Sequence, residues 1–364
     1  MTLALAAFLT ACAPPDFDDR LRDITASHRF SLAAWEITAL AGEAGKLFGS
    51  RPDTSTDRSG EVIAYFNSTD RNPDITSQIE AIIEAQVRDA YREAGLHNPI
   101  DDRLRVDVGF PPVNIHLGKP PRLLVVSPRD RIERYRDVLL LPDILLEDIE
   151  TIEEEVEALG YSALVVGLGG IASYPNYVTN DAGIRFILDT AAEEWLHQYL
   201  AFTPLGFYYV LDLLGIRQDD DIATMNETVA EIVAKEIGGR IYTKYYTQDE
   251  ASDEAGDAEP AFDFNREMRE IRKTVDDLLA GGEIEEAEAF MAERRDFLQD
   301  NGYYIRKLNQ AYFAFHGMYA AGPASIDPIG DDFRELRSRS QTLEEFLDAA
   351  ASLSNRDGLS ELLR

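Results

Sequence analysis

Glu193-Glu194-Trp195-Leu196-His197 and Asn226-Glu227-Thr228-Val229-Ala230 are the two stretches on which the reading of this chain turns. Around the first, Ile184, Leu188, Ala191, Trp195 and Tyr199 recur every three or four residues. That period predicts a helix capped near Asp181 and running to about Phe202. Residues four apart on a helix stack on one face, so Glu193 and His197 project together, with Glu194 one step round. Asn226 opens a second amphipathic segment through Ile237, with Val229, Ile232, Val233 and Ile237 as its apolar face. Glu227 and Glu231 are again four apart and share the adjacent face.

The first stretch has the geometry of an H-E-x-x-H zinc helix in which Glu193 replaces the first histidine. In that motif the i and i+4 side chains hold the metal and the glutamate between them deprotonates the attacking water. Glu227, thirty residues beyond His197, sits in N-E-x-x-A. Together the two stretches resemble the gluzincin class of metallopeptidases, in which N-E-x-x-A on the following helix supplies the third ligand. The Gly-rich run Gly167 to Tyr174 stands where those enzymes present an edge strand to a peptide. Lys307-Leu308-Asn309-Gln310-Ala311, read as part of a long helix, is similar to the C-terminal helical part of predicted bacterial aminopeptidases. The resemblance covers roughly Val165 to Phe346, is specific at Glu194, His197 and Glu227, and departs at Glu193. It implies a zincin-like fold, with Glu194 as general base, and Glu193, His197 and Glu227 as metal ligands. Glu231 would orient a ligand. The class also needs a donor to the tetrahedral oxyanion. Tyr312 and His316, on one predicted helical face with Asn309 beside them, are the candidates, with Tyr303 and Tyr304 behind them. A plain packed helix explains that face equally well. Gly169, Gly170 and Tyr174 would line the substrate cleft.

A carboxylate at position 193 changes the chemistry. A carboxylate ligates zinc at about 2.0–2.2 Å, but one His with two Glu cancels the dication's charge, so bound water is acidified less. Oxygen-rich donor sets also shift preference from zinc toward Mn or Fe(II). Without a metal, Glu193, Glu194, Glu227 and Glu231 would crowd, and at least one would hold its proton. The sequence therefore allows an active hydrolase with an altered site, or a peptidase-like scaffold that binds peptides or cell-wall fragments without catalysis or cofactor. A carboxylate-bridged di-metal bundle would need a second E-x-x-H. None of His28, His97, His116 and His316 has a Glu three residues before it.

Outward from these helices, the pattern predicts helices over Phe30 to Phe48 and Asp74 to Ala94. Strands are expected at Val113–Leu117, Arg122–Ser127, Asp137–Leu141 and Ala163–Gly167. The acidic helix Leu146–Leu159 reads as presenting Glu153-Glu154-Glu155 to solvent, and Trp35 and Trp195 read as core. Phe264–Leu279 and Glu283–Leu298 read as a helical hairpin turning at Gly281-Gly282. The expected class is α+β, with a strand-containing N-terminal half and an all-helical C-terminal half, the metal helix lying at their junction. The organisation reads as a signal segment at 1–12, a tether at 13–28, an α+β part at 29–178, and a helical part at 179–364 with an acidic loop at 247–260.

The 364 residues carry 67 acidic and 35 basic side chains, a formal net charge of −32. Such a surface repels phosphate and excludes the counterion release that drives duplex binding. Gly167-Leu168-Gly169-Gly170 lacks the Gly-Lys-Ser/Thr ending of a phosphate loop, so no nucleotide is expected. Leu9-Thr10-Ala11-Cys12, after an apolar run, resembles a bacterial lipobox, and Cys12 is the sole cysteine. The expectation is lipid attachment at Cys12 and an extracytoplasmic body that meets the membrane only through that anchor. A chance cysteine near the N-terminus is the alternative.

Overall fold

The computed structural model describes residues 16–43, 58–69, 72–96, 111–213, 216–217, 219–247 and 262–364. Cys12, His97 and the acidic stretch after Thr247 lie outside the described residues. The chain is a mixed α/β protein whose described C-terminal half is wholly helical. No described helix is long and apolar enough to cross a membrane.

Two small sheets occupy the middle of the chain. In the first, β2 (Arg122–Pro128) is central, antiparallel to both β3 (Arg136–Leu140) and β4 (Tyr161–Gly167). Successive strand side chains point to opposite faces. Leu124 and Val126 accordingly meet α1 (Phe17–Thr25) and α5 (Ile149, Ile152 and Val156 of Leu146–Glu157). Leu123 and Val125 meet Ala311 and Ala314 of α11 (Gln310–His316). Burial on both faces explains why β2 reads as a continuous apolar run rather than an alternating one. Glu153 faces inward, not to solvent: it falls on the same side of α5 as Ile149, Ile152 and Val156 and is buried. Only Glu154 and Glu155 are exposed.

The second sheet has the order β1 (Ile115–Gly118), β6 (Asn176–Thr179), β5 (Gly170–Ile171), with β1 parallel and β5 antiparallel to β6. The Gly-rich run thus forms only a two-residue edge strand. The outer edge of β1 is covered by α4 (Pro73–Glu93), whose Glu84 and Glu80 carboxylates accept from Ile115 N and Leu117 N, both at 2.9 Å. Such cover satisfies edge donors that would otherwise template another strand.

The largest core joins this sheet to α4, α6 (Ile184–Leu200) and α8 (Asp220–Tyr245), and α12 (Ile329–Arg339) and α13 (Leu343–Ala351) close it from outside with Phe333 and Phe346. Between α6 and α8 runs α7 (Pro204–Leu213). Helices α9 (Phe264–Ala280) and α10 (Ile284–Asp300) form the predicted hairpin, with Gly282 in the left-handed region at φ 77°. Trp195 is core, as expected. Trp35 is not: α2 (Leu32–Glu43) leaves Ile37 exposed, and Trp35 is half-buried, stacked on Tyr177 at 4.6 Å.

Candidate metal centre

The two motif helices pack directly against each other. Tyr91 donates to Ala192 O at 2.9 Å, and Trp195 Nε1 donates to Pro111 O at 2.8 Å. These bonds hold one side of α6 against α4 and the chain before β1, which turns Glu193, Glu194 and His197 toward α8. Near the start of α6, Asp189 lies against Gly238 so closely that a Cβ there would sit 1.9 Å from its Oδ1. Only glycine allows that approach.

Glu193, His197 and Glu227 each place a donor atom within 4.8 Å of the others. His197 Nε2 and Glu227 Oε2 are 3.6 Å apart. Two atoms each about 2.1 Å from a tetrahedral ion sit roughly 3.4 Å apart, so this pair is at ligand spacing and Glu193 has only to close in slightly. The remaining atoms of His197 and Glu227 are committed elsewhere. His197 Nδ1 is 2.8 Å from Asn226 Oδ1, and the tautomer with its proton on Nδ1 donates to that oxygen and leaves the Nε2 lone pair for a cation. Tyr209 of α7 donates to Glu227 Oε1 at 2.5 Å, leaving Oε2 toward His197. The donor set thus fits a divalent ion on geometry and tautomer.

Electrostatics agree with that fit. Burial, then the charges of Glu227 and Glu231, push the Glu193 carboxyl up to about 8. Burial, with Glu193 and Glu227, holds Glu194 well above the ordinary carboxylate range. Neither makes a hydrogen bond to protein among the described residues. Glu194 is packed against the edge strand: a Cβ on Gly170 would come within 2.6 Å of its Oε1. Glu231 is buried, bonded through Oε1 to Lys235, with Oε2 unpartnered.

The structure brings together Glu193, Glu194, His197 and Glu227, places Glu231 close enough for its charge to raise Glu193, and sets Gly170 beside Glu194. Gly169 adjoins α6 through Phe186 and Thr190. Tyr174 lies in the turn before β6, its N–H on Glu36 of α2. The expected oxyanion donors are elsewhere. Residues 301–309 are not helical, and Asn309 is the N-cap of the short α11, accepting from Tyr312 N at 2.9 Å and donating to Ala163 O at 2.9 Å. Its side chain is spent on fastening α11 to β4. The rings of Tyr312 and His316 pack against each other at 4.3 Å, tilted by 43°. Burial alone raises Tyr312 to about 12 and lowers His316 to about 4, with no influence from the glutamates.

Two tyrosines that the sequence reading missed stand at the centre instead. Burial and Glu227 raise Tyr209, while burial and the charges of Glu227, Glu193 and Glu194 raise Tyr319. Tyr209 follows Phe207-Tyr208 in an apolar helix, and Tyr319 follows α11 in a loop, so neither has a spacing that ties it to the motif. The helix boundaries differ too. α6 begins at Ile184 behind Gly183 rather than at Asp181, and α8 starts six residues before Asn226, capped by Asp219 on Ile222 N at 3.2 Å. The earlier start puts Glu227 in the helix interior, where its backbone is held from both sides. No family model, curated protein or solved structure matches the chain.

Proposed function

We propose that the chain is a metal-dependent peptide-bond hydrolase of gluzincin-like design, with Glu193, His197 and Glu227 as ligands. The observation that carries the reading is the convergence of these three side chains with the His197 tautomer set by Asn226. A divalent ion in such a site acidifies water and polarises a carbonyl. The chain's own residues supply the rest. Glu194, buried beside the β5 edge, accepts the proton of the attacking water and passes it to the leaving amine. The β5 edge aligns the peptide backbone next to that carboxylate. Tyr209 spends its hydroxyl proton on Glu227, so Tyr319, buried where the charges of Glu227, Glu193 and Glu194 act on it, takes the task of donating to the developing oxyanion that the sequence assigned to Tyr312 and His316. The carboxylate-rich donor set favours Mn or Fe(II) over zinc relative to a two-histidine site.

Metal content after dialysis, paired with turnover of a small peptide panel, tests the reading. The wild type should retain about one ion per chain and hydrolyse peptide. Glu193→His should hold zinc more tightly, since imidazole removes one negative charge from an over-acidic group. Glu194→Gln should keep the metal and lose turnover. A wild type that retains no ion and cleaves nothing would leave a peptide-binding scaffold as the better account.

A further inference from the structure

A cleft of about 980 Å³ opens between β3, α7, the start of α8 and the turn after α11. Its walls include parts of α7 and α8, the helices that carry Tyr209 and Glu227. Ala223 and Thr224 line it and precede Glu227 by four and three residues on the same face of α8. Asp212 lines it and follows Tyr209 by three residues on α7. Met318, next in the chain to Tyr319, completes that wall.

Three arginines reach the cleft. Arg136 is spent on Asp18, at 2.8 and 3.1 Å, and on Tyr135 O at 2.8 Å. Arg272 is spent on Asp276 at 2.8 Å and on Ala324 O at 3.3 Å. Arg134 differs. Its Nε and Nη2 grip Asp137, but among the described residues Nη1 finds only the thioether of Met318, a weak acceptor. Its contact with Met318, the neighbour of Tyr319, sets the guanidinium against the wall formed by the turn after α11, and the charges of Tyr209 and Glu227 act on it. Arginine's planar fork suits a carboxylate, and a strong donor resting on sulfur in a concave site is poised to exchange that partner for an oxygen anion. Glu133, Asp137, Asp212, Asp220 and Asp327 share the lining with the three arginines, so multiply charged anions such as phosphate are opposed and a single carboxylate has to meet Arg134 directly.

Resting on the hydrolase reading above, we propose that Arg134 receives the C-terminal carboxylate of short peptides, so that the site works on the carboxyl end of its substrate. An N-acetylated tripeptide tests this as its free acid and as its C-terminal amide. Binding is measured by calorimetry to metal-loaded, full-length Glu194→Gln protein, so that turnover does not intervene. A charge-assisted hydrogen bond predicts that the acid binds about ten- to a hundredfold more tightly than the amide. Arg134→Gln should bring the two within about twofold, because only the acid loses its partner. Since that change strands Asp137, the paired variant Arg134→Gln/Asp137→Asn removes both charges and should give the same levelling in a folded protein. Equal affinity for acid and amide in the parent, no binding of either, or a preference that survives the paired variant would each overturn the assignment. The hydrolase reading fails separately: wild type that binds the acid selectively yet never cleaves it refutes hydrolysis and keeps the Arg134 site. Cleavage of acid and amide at equal rates, with equal affinities, does the reverse.

Discussion

Glu153 and the pair Glu193–Glu194 are all glutamates of amphipathic helices turned toward protein, and they are treated in opposite ways. Around Glu153 every acceptor is used. Val165 N donates at 2.7 Å, Arg306 at 2.5 and 3.0 Å, and Lys307 at 3.3 Å. The carboxylate ties α5 to β4 and to the segment before α11. Around Glu193 and Glu194 no hydrogen bond from protein appears among the described residues; after burial, the charges that act on Glu193 are those of Glu227, Glu231 and Asp189, with Lys235 weighing against them, and on Glu194 those of Glu193 and Glu227. A buried charge that folding has paired is a fastening, whereas a buried group of like charges left unpaired costs stability unless a cation arrives. The difference separates a structural carboxylate from a candidate site.

That contrast can be broken in four places. The largest effect belongs to Glu153→Ala, which strands Arg306 and Val165 N. Unfolding free energy should fall by about 3 kcal/mol in urea titrations, the low end for a broken buried pair because Arg306 keeps some access to water. Metal content should not change; if metal is lost with it, the two regions are not independent.

Second comes pH. The Glu193 carboxyl titrates at about 8 when folded against an ordinary 4.5, so between those values the folded apoprotein holds a proton that the unfolded chain has released. The slope is therefore negative: stability is full below about 4.5 and is lost as pH rises through about 8. Thermal melts of the metal-free protein should drop over that window. With saturating Mn or zinc the trend should reverse, since deprotonated ligands bind the ion. Parallel curves with and without metal would deny that the ion meets these carboxyls.

Third, Asn226→Ala removes the acceptor from His197 Nδ1 while leaving every ligand in place. Metal affinity should fall roughly ten- to a hundredfold, read by competition with a chromophoric chelator. Smallest is Tyr209→Phe, which takes one neutral donor from Glu227 and should weaken metal binding only about two- to tenfold. A greater loss from Tyr209→Phe than from Asn226→Ala would invert the assigned importance of the two supports.

The sequence showed the parts of this site that share a helix and concealed the parts that do not. Glu193 with His197, and Glu227 with Glu231, were legible because a four-residue spacing on an apolar-striped helix fixes a common face. Asn226 was visible only as part of a motif, and its bond to His197 depends on how α8 crosses α6. Tyr209, Tyr319 and Arg134 come from α7, a loop and the approach to β3, where no period links them to the ligands. Asn309 misled because an N-cap and a helix-interior position look alike before the helix start is known. Glu153 misled through its neighbours, since Glu154 and Glu155 are exposed as that acidic run suggests. Strands β1 to β4 were placed to within a few residues because β-branched and leucine-rich runs bounded by turns report themselves locally, whereas β6, the central strand of the second sheet, was missed because Asn176–Thr179 is only four residues long.

The contact between Asp189 and Gly238 reaches beyond packing. Asp189 lies one turn before Glu193, and Gly238 lies on the helix that carries Glu227, so the contact works as a gauge block between the two ligand-bearing rods. With a Cβ at position 238 only 1.9 Å from Asp189 Oδ1, even alanine would force the rods apart. The aperture between the candidate donors would widen with them, so under the proposed function a substitution at residue 238, which carries none of the donors, is expected to shift the preferred ion toward a larger one.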